Sequence, residues 1–106
     1  MKKLLPLILF LIFAGTAKGQ VIITIAGNSP VGLNNGNSNG DNGPAVNAGL
    51  NDPAAIVFDA PGNLYIADAN NQKVRKILTT SIITTIAGTG TYGYNGDSIA
   101  AITADL

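Results

Sequence analysis

The chain has 106 residues, six of them basic and six acidic, with no cysteine, histidine, tryptophan or glutamate. That length holds at most one small domain. The missing residue types exclude a disulfide scaffold, a thiolate metal site, a cysteine nucleophile and a lipid-modified cysteine after a leader, and they remove the commonest general base and zinc ligand.

The first element is a leader. Met1-Lys2-Lys3 is a positive start, Leu4 to Phe13 is apolar and interrupted only by Pro6, and Ala14 to Gly19 is built mainly of small residues. This is the pattern of a secretory signal peptide. The apolar run falls well short of the about 20 residues that a membrane-spanning helix needs, which disfavours a retained anchor. Cleavage fits best after Gly19, with Ala17 as second choice, so residues 1–19 leave and the mature chain begins at Gln20. The expected location is outside the cytoplasm: secreted, periplasmic or on the cell surface, with no membrane contact after cleavage. Lys2, Lys3 and Lys18 depart with the leader, leaving Lys73, Arg75 and Lys76 against six aspartates. Lys73-Val74-Arg75-Lys76 is too short to supply the basic stripe that phosphate contacts require, so nucleic acid is not an expected partner.

Val21 to Ala26 is a β-branched run ending at Gly27 and reads as a strand. Asn28 to Asp52, rich in Asn and Gly with Pro30 and Pro44, reads as a loop with one short helical turn around Ala45 to Leu50. Strand patterns then follow at Ala54 to Asp59, Leu64 to Ala67, Lys73 to Leu78 and Ile82 to Ala87. The clearest junction is Pro61-Gly62-Asn63, which supplies a fixed φ, a residue free to take positive φ and one tolerant of the left-handed region. Four strands joined by short turns make a meander, and no window holds a helical period, so the fold class is all-β.

An internal repeat organises these elements. Ile22-Ile-Thr-Ile-Ala-Gly27 recurs as Ile83-Thr-Thr-Ile-Ala-Gly88, and the window Asn39 to Leu50 recurs as Asn95 to Leu106 with six of twelve positions identical. A repeat that encloses a four-stranded unit is the signature of a β-propeller array.

Pro53-Ala-Ala-Ile-Val-Phe-Asp59, Gly62-Asn-Leu-Tyr-Ile-Ala-Asp68 and Asn71-Gln-Lys-Val-Arg-Lys-Ile77 together resemble the NHL repeat. The Ile-Ala-Gly followed by Asn-Gly-Asp-Asn-Gly-Pro-Ala resembles the linker of secreted bacterial NHL proteins. The resemblance implies a β-propeller blade, a four-stranded antiparallel meander in an incomplete ring. Residues 20–53 would be the outer strand of a preceding blade plus linker, 54–88 one complete blade, and 89–106 the start of the next linker. In that frame Ala54 to Asp59 is the inner strand and Ile82 to Ala87 the outer one. The second linker departs from the first at Ser98-Ile-Ala-Ala, and one blade with one strand cannot close a ring. The expectation is therefore an N-terminal piece of a longer propeller, the alternatives being a ring assembled from several copies or a degenerate, unfolded product.

Candidate sites are few. Asn37, Asn39 and Asp41 place oxygens on alternate residues, as a calcium-wrapping loop does, but with one carboxylate the better reading is an Asn/Gly turn whose side chains bond their own backbone. Asp68, Asn71 and Arg75 form a turn cluster, which either accepts turn amides and pairs internally or meets a ligand at the propeller rim. Asp59 is suited to closing its hairpin turn. Tyr65 alternates with Leu64 and Ile66 and reads as packing. Tyr92 and Tyr94 sit between glycines in a loop and are candidate interface anchors. Serines and threonines lack a base to activate them, so no catalytic residue is named and no cofactor is expected.

The leading expectation is a binding or scaffold module whose loops meet a protein, peptide or glycan, with further blades or other copies as neighbours. A rival is a propeller enzyme, a metal-dependent lyase or lactonase-like hydrolase, to which this chain would contribute at most Asp52 or Asp59. A third reading is a structural repeat of a large surface or adhesion protein. Fold alone does not decide among them.

Overall fold

The computed structural model describes residues 19–28 and 38–106. Residues 1–18, which hold most of the expected leader, and Asn37 of the alternating Asn/Gly loop lie outside the described residues. Among the described residues no helix is long and apolar enough to cross a membrane.

The chain folds as an open five-stranded antiparallel sheet with strands β1 (Gly43–Pro44), β2 (Pro53–Phe58), β3 (Leu64–Asp68), β4 (Lys73–Ile77) and β5 (Ile82–Ala87). Their spatial order is β1-β5-β4-β3-β2, so the last four form the expected meander, while β1 comes back from the linker to pair with the far edge. Three 3-10 turns, Ala45–Asn47, Ala69–Asn71 and Ala101–Thr103, are the only helical elements among the described residues.

The turns follow from residue chemistry. Gly62 takes φ +98 between β2 and β3, as its place in Pro-Gly-Asn requires. The β3–β4 junction is closed by Gln72 at φ 52. Two irregularities break the ladder. Pro53 opposes Asp68 and Ala55 opposes Ala67, leaving Ala54 extra on β2, and Val74 opposes Ala87 while Arg75 opposes Thr85, leaving Ile86 extra on β5. Both are β-bulges, which twist a strand locally and re-aim its side chains.

Cross-strand partners share a face. Pairing therefore places Leu64, Ile66, Asp68, Arg75, Ile77, Ile83 and Thr85 on one side of the sheet, and Val57, Tyr65, Ala67, Val74, Lys76 and Thr84 on the other. The first face is the covered one. Ala45 and Ala48 of the linker close over Leu64, Ile66, Ile77 and Ile83, with Ala26 and Leu50 packed at the margin. Among the described residues no layer covers the second face, although Lys76 Nζ lies 5.3 Å from the Tyr65 ring centre, at cation–π distance.

Two expectations are corrected. Val21 to Ala26 is not a strand: Val21, Ile22, Ile23 and Ile25 are exposed and make no ladder. Ala26 packs at the margin of the core, and just beyond it the Gly27 and Asn28 amides donate to the Ala45 and Ala48 carbonyls. A β-branched run becomes a strand only when another strand meets its backbone, and none does among the described residues. The linker, read as loop with one turn, supplies both that turn and the two-residue strand β1, because the β5 edge offers backbone groups to Gly43–Pro44 and the residues beside them.

Candidate functional site

The only fully enclosed polar cluster among the described residues is built on β3 and β4. Leu64, Ile66 and Asp68 alternate inward along β3, and Arg75 and Ile77 do so along β4, so strand parity places a cation beside a carboxylate within an apolar face. Both are 0% exposed. Unpaired, either would be prohibitively costly to bury. Arg75 answers with its planar fork: Nη1 donates to Asp68 Oδ2 at 3.2 Å and to the Gly49 carbonyl at 3.0 Å, and Nη2 donates to Asp41 Oδ1 at 2.8 Å and to the Asn39 carbonyl at 3.4 Å. Its Nε meets no acceptor among the described residues.

Asp68 is saturated in turn. Oδ1 accepts the Asn51 amide at 2.8 Å and Oδ2 accepts Asn71 Nδ2 at 2.8 Å. Asp41 accepts the Thr85 hydroxyl at 2.7 Å, and Asn39 Oδ1 accepts the Gly49 amide at 3.1 Å. Lys73 adds a second tie, donating to Ser38 Oγ at 2.7 Å. The cluster is thus a clasp: one guanidinium holds residues 39, 41 and 49 of the linker down onto β3 and β4, and charge-assisted bonds of this kind are roughly twice as strong as neutral ones.

Asp68, Asn71 and Arg75, one candidate set, are brought together, but their polar groups are turned on each other and on backbone, and all three are buried. Asn39 and Asp41, candidates for a cation, are engaged in the same clasp. Among the described residues no three His, Cys, Asp or Glu side chains gather as a metal would need.

Asp59 closes its turn as expected. Oδ1 accepts the Gly62 and Asn63 amides, and Oδ2 accepts Asn63 Nδ2 at 2.9 Å and the Tyr65 hydroxyl at 3.0 Å. The Asn63 side-chain amide does most to hold this carboxyl below its usual pKa, opposed by partial burial and helped by the Asn63 amide, the Tyr65 hydroxyl and the Gly62 amide.

Tyr92 and Tyr94 stand apart from the clasp and are 84% and 75% exposed. They rise from a loop whose glycines Gly90, Gly93 and Gly96 all take positive φ. Both rings are presented outward, as an interface anchor must be.

Sequence reasoning missed Asp41, Thr85 and the Gly49 carbonyl as parts of the clasp. A signal was present: Arg75 sits at buried parity with Ile77, so a strand reading already demanded carboxylates for it. No protein-family model matches the chain, and no curated protein matches it either.

Proposed function

We propose that this chain is the blade-bearing part of an NHL-type β-propeller, exported by its leader, and that it works as a scaffold that presents the loop of Tyr92 and Tyr94 to a protein partner. The observation that carries the reading is the four-stranded meander with one face sealed by its linker and its first strand left bare. Ile56, Val57 and Phe58 on β2 are 61–63% exposed, an uninterrupted apolar run on a sheet edge. An inner propeller strand has this character, because neighbouring blades cover it in the assembled ring. The loop supports the binding half of the reading: two aromatic rings bring large contact area at small entropic cost.

The test is site-directed photocrosslinking in cells that export the protein. A photoreactive phenylalanine at position 92 or 94 is expected to give discrete crosslinked species, while the same residue at Thr80, in the exposed turn between β4 and β5, gives none. Replacing both tyrosines with serine should abolish the interaction without moving the melting temperature. Crosslinks of equal strength at 80 and 92, or none at 92 and 94, would overturn the assignment.

A further inference from the structure

The repeat seen in the sequence is also a repeat of hydrogen bonds. In the first copy the Gly27 amide donates to Ala45 O at 3.0 Å, the Asn28 amide to Ala48 O at 3.0 Å, and the Gly49 amide to Asn39 Oδ1 at 3.1 Å. In the second copy the Gly88 amide donates to Ala101 O at 3.0 Å, the Thr89 amide to Ala104 O at 2.9 Å, and the Asp105 amide to Asn95 Oδ1 at 3.1 Å. The backbone agrees: Gly27 and Gly88 have φ +93 and +94, and Asn42 and Ser98 have φ +63 and +59. Each copy carries its 3-10 turn at the same place, Ala45–Asn47 and Ala101–Thr103. Substituting Ser98-Ile-Ala for Asn42-Gly-Pro has left the frame intact.

The two copies differ in what lies against them. Ala45 and Ala48 are 1% and 0% exposed beneath the sheet they cap, and Asp41 reaches Arg75. Their counterparts are more open: Ala101 and Asp97 are exposed, Ala104 is half-buried, and Ile99, Ile102 and Leu106 beside them are 41–49% exposed. Docking also gives the first copy two backbone bonds, from the Asn42 amide to Ile83 O and from the Ala45 amide to Ser81 O. The equivalent amides, Ser98 and Ala101, have no acceptor among the described residues.

We infer that Asn95–Leu106 is a preformed docking surface for a second copy of the sheet β2–β5, with Asp97 receiving the arginine that stands at the Arg75 position of that copy. The first linker shows the complementarity required: a pair of alanines over an isoleucine-rich face, a carboxylate opposite a guanidinium, and two amides for an edge strand. Asp97 supplies the charge and Ser98 and Ala101 supply the amides. The inference deepens the scaffold reading by naming a further sheet as partner. Its test uses no outside ligand, so either can fail while the other stands.

The experiment joins a second copy of residues 51–88 directly after Leu106 of the full chain, repeating the junction between Leu50 and Asn51. Amide hydrogen exchange is then compared in the extended and unextended proteins. The Ser98 and Ala101 amides should exchange at least about tenfold more slowly in the extended protein. Asp97→Ala should remove that protection, and so should Arg75→Ala made only in the appended copy, whereas Asp97→Ala in the unextended chain should change neither amide. Unprotected Ser98 and Ala101 in the extended protein would overturn the inference, and so would protection that survives Asp97→Ala.

Discussion

Arg75 shows how one side chain can decide the fold of this chain. Its guanidinium serves four acceptors from two elements, and each of those acceptors is placed by something else: Asp68 by β3, Asp41 by Thr85, and the Asn39 and Gly49 carbonyls by the linker. Removing one member of a buried pair leaves the other charge uncompensated, at about 3–5 kcal/mol. Arg75→Met should therefore lower stability to urea by about that amount. Arg75→Lys should not rescue it, because a single ammonium cannot span acceptors arranged for a fork. A loss below about 1 kcal/mol, the range of an exposed ion pair, would show that the clasp is not built as described. Asp59 gives a different, pH-dependent prediction. Its pKa in the folded chain is lowered, so its contribution is fully present above the unfolded value of 3.8 and is lost as pH falls through the depressed folded value. Asp59→Asn should flatten the acid limb of a stability-against-pH curve while leaving its slope around neutrality unchanged. An acid limb identical in the two proteins would mean that the turn bonds do not favour the ionised form.

At the scale of elements, the strands with local signals were legible and those without were not. The hairpin about Pro61-Gly62-Asn63 and the runs that became β3, β4 and β5 carry their own alternation and turn residues, and the structure places them within a residue of expectation. β1 carries none, since Gly43–Pro44 is strand only because β5 lies beside it. Val21 to Ala26 fails in the opposite sense, with strong local propensity and no partner strand among the described residues. The clasp was half legible: Asp68 and Arg75 were readable across their turn, but Asp41 lies 34 residues from Arg75 and was visible only as part of an Asn/Gly run. Glycines sharpen the point. Gly88 ends β5 at φ +94, and a Cβ there would sit 2.1 Å from the Gln72 carbonyl oxygen and 2.9 Å from Lys73 Cα, both backbone atoms. Gly62 has nearly the same φ, but its nearest neighbour would be a Thr79 methyl at 3.7 Å. Gly62→Ala should thus cost only the positive-φ strain, about 1 kcal/mol. Gly88→Ala should cost several times more, because β4 and β5 must part to admit it. Thermal melts of the two variants side by side check this, and equal shifts would mean that the β4–β5 junction yields freely.

For the molecule as a whole, the question is what an incomplete set of layers does in water. Among the described residues one face of the sheet is covered by the linker and the other is open, and β2 shows apolar side chains on both of its sides as well as an unpaired backbone edge. Such an edge is a template for another strand. Natural edges are blunted by charge, and β2 has none between Asp52 and Asp59. A bare apolar edge of this kind should make the chain associate in solution. A chain beginning at Gln20 should sediment as a concentration-dependent mixture of species in the tens of micromolar. Val57→Lys places a cation in the middle of the edge, on the open face, and touches neither the sealed core nor the clasp. It should move the distribution towards monomer while leaving the circular dichroism of the sheet unchanged. A parent chain that stays monomeric across the concentration range and melts in one sharp transition would show that four strands and a linker suffice on their own, and the need for neighbouring sheets would fall away.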